Sequence, residues 1–217
     1  MKNQFFFLMA LAMLIICSCS VDTIEGSGVE STQIRDVPTF NKVESEGVFD
    51  ITIIQSDFQS VEITADNNIL HLVRTSVHNN MLILKLDDDN NYRNINVKAT
   101  IYVENINEIK NSGSGNITAI DILQTDNFKV ENIGSGDITL DGAADGLALI
   151  NEGSGVVHAF DFVADNCDIK IDGSGDCEVF CNEYLNVKIE GSGDLFYIGE
   201  PIINSSITGS GNVKSAN

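Results

Sequence analysis

The residues with the most regular spacing in this chain are Gly-Ser-Gly triplets, most of them followed by an acid or an amide. They are Gly113-Ser114-Gly115, Gly134-Ser135-Gly136-Asp137, Gly153-Ser154-Gly155, Gly173-Ser174-Gly175-Asp176, Gly191-Ser192-Gly193-Asp194 and Gly209-Ser210-Gly211. Steps of 21, 19, 20, 18 and 18 residues separate them. Glycine-rich turns that carry aspartates can ligate calcium. A hard cation needs about six oxygens. Here each acid directly follows the second glycine, and Val156 interrupts the column Asn116, Asp137, Asp176, Asp194, Asn212. The column reads as a structural corner ladder, with no metal and no cofactor expected.

Other chemistry fares no better. Polysaccharide lyases and hydrolases cluster acids, or calcium with a base, on an exposed sheet. The outward acids here are scattered, bases are few, and no tryptophan is present to stack a sugar. His71, His78 and His158 share no metal-ligand spacing. No serine sits on a strand-to-helix elbow of the kind that marks a nucleophile. The reading is therefore not an enzyme.

Cysteines carry the remaining reactive groups. Lys2 and the apolar run Phe5–Ile16 look like a secretory signal, too short to span a bilayer. Ile16-Cys17-Ser18-Cys19 places a small residue directly before Cys19, as acylation requires. Residues 1–18 are expected as a lipoprotein signal peptide, Cys19 as the lipidation site, and 19–35 as a lipid-anchored linker. The outlying Gly-Ser-Gly at Gly26 falls in that linker. Palmitate-type acylation would tether the chain to a membrane. Cys167, Cys177 and Cys181 remain. In a flattened coil, position −6 faces position +6 across the corner at Gly173, which allows a disulfide between Cys167 and Cys181. Three reduced core thiols are the equal alternative.

Charge narrows the partners. With 12 basic and 32 acidic residues the formal charge is −20. Such a surface repels phosphate backbones, so nucleic acid is excluded as a partner.

The elements that must hold the triplets are strands. Aligned on the corner, positions −6, −4, −2, +2 and +4 are mostly apolar and the positions between them polar, as in Phe128, Val130, Ile138 and Leu140 against Lys129 and Glu131. This is a period of two with one face buried. Each unit reads as strand, glycine corner, strand and a looser corner such as Asp141–Asp145. A meander would alternate too, yet has no reason to repeat one corner at a two-strand period. The expected fold is all-β: a right-handed parallel β-helix, a solenoid with two short strands per 18–21-residue coil. Left-handed backbone (φ > 0) is the reading for the corner glycines, together with close approach between stacked corners. Segments within 29–110 read as opening coils, capped by a hairpin or two, and Gly47 as a degenerate first corner.

Phe40-Asn41-Lys42-Val43-Glu44, Gly47-Val48-Phe49-Asp50-Ile51 and Val61-Glu62-Ile63-Thr64-Ala65-Asp66-Asn67, followed by serial Gly-Ser-Gly-Asp/Asn, resemble the putative auto-transporter adhesin, head GIN domain family. The likeness covers residues 36–217, read as one domain. It implies a parallel β-helix on a small envelope lipoprotein and an adhesin-like role, with no catalytic residues. The expected location is the cell envelope, anchored to the outer membrane on its periplasmic or surface face. The expected partners are the membrane through the lipid and a glycan or protein ligand at the cell surface. A self-associating scaffold, a homo-oligomer without a dedicated ligand, is the other reading. Phe160, Phe180 and Tyr184 are candidate contacts.

Overall fold

The computed structural model describes residues 23–217. The expected signal peptide and Cys19 lie outside the described residues. Regular structure is all β apart from one short 3-10 turn at Leu70–Leu72. The strands are β1 (Thr23–Glu25), β2 (Glu30–Arg35), β3 (Lys42–Glu46), β4 (Asp50–Gln55), β5 (Ser60–Asp66) and β6 (Val73–His78). Next come β7 (Met81–Leu86), β8 (Asn91–Arg93), β9 (Val97–Val103), β10 (Glu108–Asn111), β11 (Ile117–Asn132) and β12 (Ile138–Asn151). The last are β13 (Val157–Ile171), β14 (Cys177–Ile189), β15 (Leu195–Ile198), β16 (Ile202–Ile207) and β17 (Val213–Ser215).

All but β1 and β8 join one 15-stranded sheet, wrapped around a single core as a nearly closed barrel. Alternation builds the core. Phe49, Ile53, Ile63, Ile101, Ile117 and Ile138 are fully buried, and polar neighbours face out. Phe128 and Phe162 meet inside with ring centroids 5.2 Å apart.

The expected right-handed parallel β-helix is overturned. The strand order is mixed, with β2–β5, β5–β9 and β6–β7 antiparallel. Nor is the chain a uniform array of two-strand coils. β11 to β14 are single strands of 16, 14, 15 and 13 residues. Their pairing runs straight through segments that read as loose corners, absorbed by register shifts such as that between Ala159 and Val163. A bulge bends a strand without ending its ladder, so acids and asparagines there mark a bend rather than a break. In the N-terminal part, Asn79 and Asn80 take φ of 52° and 62° and reverse the chain between β6 and β7. Two successive left-handed residues make a tight hairpin, which turns a would-be coil antiparallel.

Residues 23–35, expected as linker, carry strands: β1 pairs β8, and β2 pairs β5. The buried Asp66 carboxylate holds this segment down. It accepts the Gly28 amide at 2.7 Å and the Asn96 amide at 2.9 Å.

Candidate functional site

Parallel pairing of β11 to β14 and β16 sets their outward residues in rows across the barrel wall. One row is Lys129, Ala148, Asp168, Asn186 and Asn204. The next is Glu131, Ile150, Lys170, Lys188 and Ser206. Between them the twisted wall forms a shallow trough of about 450 Å³. A second hollow of about 390 Å³ adjoins it, sharing Ala148 and Asp168 and reaching Asp126 and Asn166. Both fall within the size range of ligand sites.

The first row contains a hydrogen-bonding ladder. Asn186 Nδ2 donates to Asp168 Oδ1 at 2.9 Å, and Asn204 Nδ2 to Asn186 Oδ1 at 3.5 Å. All three side chains stay exposed, so each keeps unused donor or acceptor capacity. Tyr184, 51% exposed, lies two residues before Asn186 and in register with Asn166.

The lysines at the trough are paired with acids. Lys170 Nζ lies 3.4 Å from Glu152 and Asp172 and 3.9 Å from Glu190, and Lys188 Nζ lies 3.0 Å from Glu190. Along the same wall, Glu108 takes Lys42 at 2.7 Å and Lys129 at 3.1 Å, and Lys110 takes Glu44 at 2.6 Å. Burial works against ionisation of Glu108, but the two lysine hydrogen bonds outweigh it and hold its carboxyl below the usual range. The cations of this wall are thus matched by carboxylates, and between the polar side chains the trough is floored by apolar groups such as Ala148 and Ile150.

The Gly-Ser-Gly segments stack elsewhere, at one edge of the barrel. None of the glycines in the six serial triplets has φ in the left-handed region, contrary to the sequence reading. Close approach alone demands them. A Cβ built on Gly136 would sit 2.0 Å from the Gly115 carbonyl oxygen, and one on Gly155 2.0 Å from that of Gly136. The series rests on Gly47, whose oxygen lies 1.9 Å from such a Cβ on Gly113. The acids and amides bond between neighbouring units. Asn116 Oδ1 accepts the Asp137 amide (2.9 Å), Asp137 the Val156 amide (2.8 Å), Asp176 the Asp194 amide (2.7 Å) and Asp194 the Asn212 amide (2.8 Å). Beneath them Asn111, Asn132 and Asn151, all fully buried, donate to the carbonyls of Gly115, Gly136 and Gly155 at 2.9–3.1 Å. These amides satisfy carbonyls that the turn leaves out of the strand ladder.

Cys167, Cys177 and Cys181 are free thiols in this structure, and all are buried. Cys167 and Cys181 are neighbours, and Cys181 Sγ donates to the Tyr184 carbonyl at 3.1 Å. Burial pushes the Cys177 thiol up to about 12. A thiol reacts as its thiolate. The neighbouring Cys167 holds the Cys181 thiol below its usual value, but all three side chains are closed to solvent. Native chain at neutral pH is therefore expected to leave them unmodified by iodoacetamide, with uptake only after denaturation; intact mass before and after unfolding checks this.

His158 pairs with Glu178 at 2.8 Å, whereas His71 and His78 are exposed. Among the described residues, no three His, Cys, Asp or Glu side chains converge as a metal group would require. Phe160 and Phe180 are half-buried, and of the three aromatic candidates Tyr184 is the one in register with Asn166 of the second hollow. The Asp168–Asn186–Asn204 row was missed, although its signal lay in the same alignment, at position −5 from each corner.

A family model described as "Putative auto-transporter adhesin, head GIN domain" matches residues 39–201. A solved structure of a putative adhesin from Bacteroides fragilis is 28% identical, covers 88% of this chain and 99% of that one, and superposes with a TM-score of 0.74. A putative lipid binding protein from Parabacteroides distasonis is 21% identical, covering 90% and 100% at a TM-score of 0.55. A putative adhesin from Parabacteroides merdae is 22% identical, with the same coverage and a TM-score of 0.51. The latter two likenesses bear on the fold alone. No curated protein matches the chain.

Proposed function

The chain belongs to the putative auto-transporter adhesin, head GIN domain family, and from that membership we propose a non-catalytic binding module of the cell envelope that takes a neutral glycan along the outer trough. The supporting observation is the exposed Asp168–Asn186–Asn204 ladder. Carboxylate and amide groups in a row match the paired donor and acceptor character of sugar hydroxyls. Tyr184 offers an amphipathic ring for a sugar face. Phosphate or polyanionic ligands fit poorly, because Lys170 and Lys188 already face Glu152, Asp172 and Glu190. Acylation at Cys19 would hold the module at the membrane and leave this wall free.

Asp168→Ala with Asn186→Ala removes two hydrogen-bonding groups from a solvent-facing row. At about 1 kcal/mol for each bond lost, binding should weaken roughly 10- to 100-fold. Cells producing this variant should adhere to glycan-coated surfaces like a deletion strain, with protein level and thermal midpoint unchanged. Adhesion equal to that of the unaltered protein would remove the trough from consideration.

A further inference from the structure

The two ends of the barrel wall differ. At one end stand β2 and β6, whose edges carry charged residues: Glu30 and Arg35 on β2, Arg74 on β6. Charge on an edge strand blunts it against further pairing. At the other end β16 carries no charge, and β17 carries one, Lys214, which is paired with Asp194. β16 pairs β14 and β17 pairs β15, and their far edges meet no strand among the described residues.

Every residue of β16 is exposed. Ile203, Ser205 and Ile207 stand in register with Leu185, Val187 and Ile189, which are buried core residues. They occupy core-facing positions, yet Ile203 is 39% and Ile207 43% exposed. An uncharged edge strand with bare amides, carbonyls and apolar side chains is a template for another strand.

Charge identifies which partner. The chain holds 32 acids, but residues 201–217 contain none and a single base, Lys214. Two copies of so acidic a body repel wherever their flanks meet. Only the acid-free end lets them approach closely, whereas pairing with the charged β2 and β6 edges is opposed by the features that blunt those edges. We propose that two copies of this chain associate head to head through the free edges of β16 and β17, about a two-fold axis. Such a pairing uses one edge twice, satisfies both copies and closes, so it gives a dimer rather than a fibre. The trough opens on the outer wall, and a dimer would present two of them.

The chain, purified as its host processes it, is expected to sediment as a dimer that added salt strengthens rather than weakens, because salt screens the repulsion between the acidic flanks. Ser205→Cys, at the centre of β16, should form an intermolecular disulfide with a small aromatic disulfide as oxidant, while Gln33→Cys on β2 should not. Ile203→Lys with Ile207→Lys should give a monomer with its thermal midpoint retained; should that variant unfold, the Ser205→Cys trap decides alone. A monomer at every concentration, or equal cross-linking through Gln33→Cys, would overturn the proposal. So would a Ser205→Cys disulfide formed only with a different protein.

Discussion

Gly155→Ala is expected to destabilise the protein by more than about 3 kcal/mol, enough to prevent its accumulation as folded chain in a domain of ordinary stability. The new methyl would lie 2.0 Å from the Gly136 carbonyl oxygen and 2.9 Å from Asn132 Nδ2. Neither neighbour can yield. The Gly136 oxygen belongs to backbone fixed on both sides, and it already accepts Asn132 Nδ2 at 3.1 Å. Moving one corner also moves the next, because a Cβ on Gly175 would meet Gly155 at 1.9 Å. Gly146→Ala is the control. Its nearest obstacle is Asn127 Oδ1, the end of an exposed side chain, at 2.9 Å. That side chain can rotate away, so the cost should stay below about 1 kcal/mol. Urea denaturation of the two variants checks the contrast; comparable midpoints would show that the corners tolerate a side chain after all.

Phe162→Ala should cost roughly 3–5 kcal/mol, the range for emptying a buried aromatic site. The reason is local. Phe162 pairs with Gly142, which in turn pairs with Ile122. Gly142 has no side chain, and the Phe162 ring reaches Phe128 two strands away. Nothing adjacent is placed to fill the hole. Phe58→Ala removes a ring of the same size, but Phe58 is half exposed and stacks only on Tyr102, at 5.1 Å. The loss there should be about 1 kcal/mol. Thermal or chemical melts of both variants test whether interior packing at Gly142 has this leverage.

Much of the local structure was legible because side-chain period depends on neighbours in sequence. Phe128, Val130, Ile138, Leu140, Val157 and Leu185 were assigned inward from alternation, and all are buried. The triplet spacing likewise signalled that glycines must stack. What could not be read was how strands close on one another. The reversal at Asn79-Asn80 depends on two backbone angles that asparagine permits without demanding. The long strands β11 to β14 survive their bends through bulges, whose sequence cost is a few polar residues that look like turn formers. The corner glycines were read for two reasons, left-handed backbone and close approach between stacked corners, and only the second holds, since composition does not separate the two. Asp168, Asn186 and Asn204 are unremarkable in sequence, and only parallel register sets them side by side.

If the glycine corners serve packing and the outer trough is the proposed recognition surface, hydrogen–deuterium exchange of the full chain, with and without a neutral oligosaccharide that blocks adhesion, separates the two most directly. Protection confined to amides of 146–150, 166–170, 184–188 and 202–206 is the predicted result. Protection centred on the Gly-Ser-Gly corners, or on the stretches around Phe160 and Phe180, would contradict it.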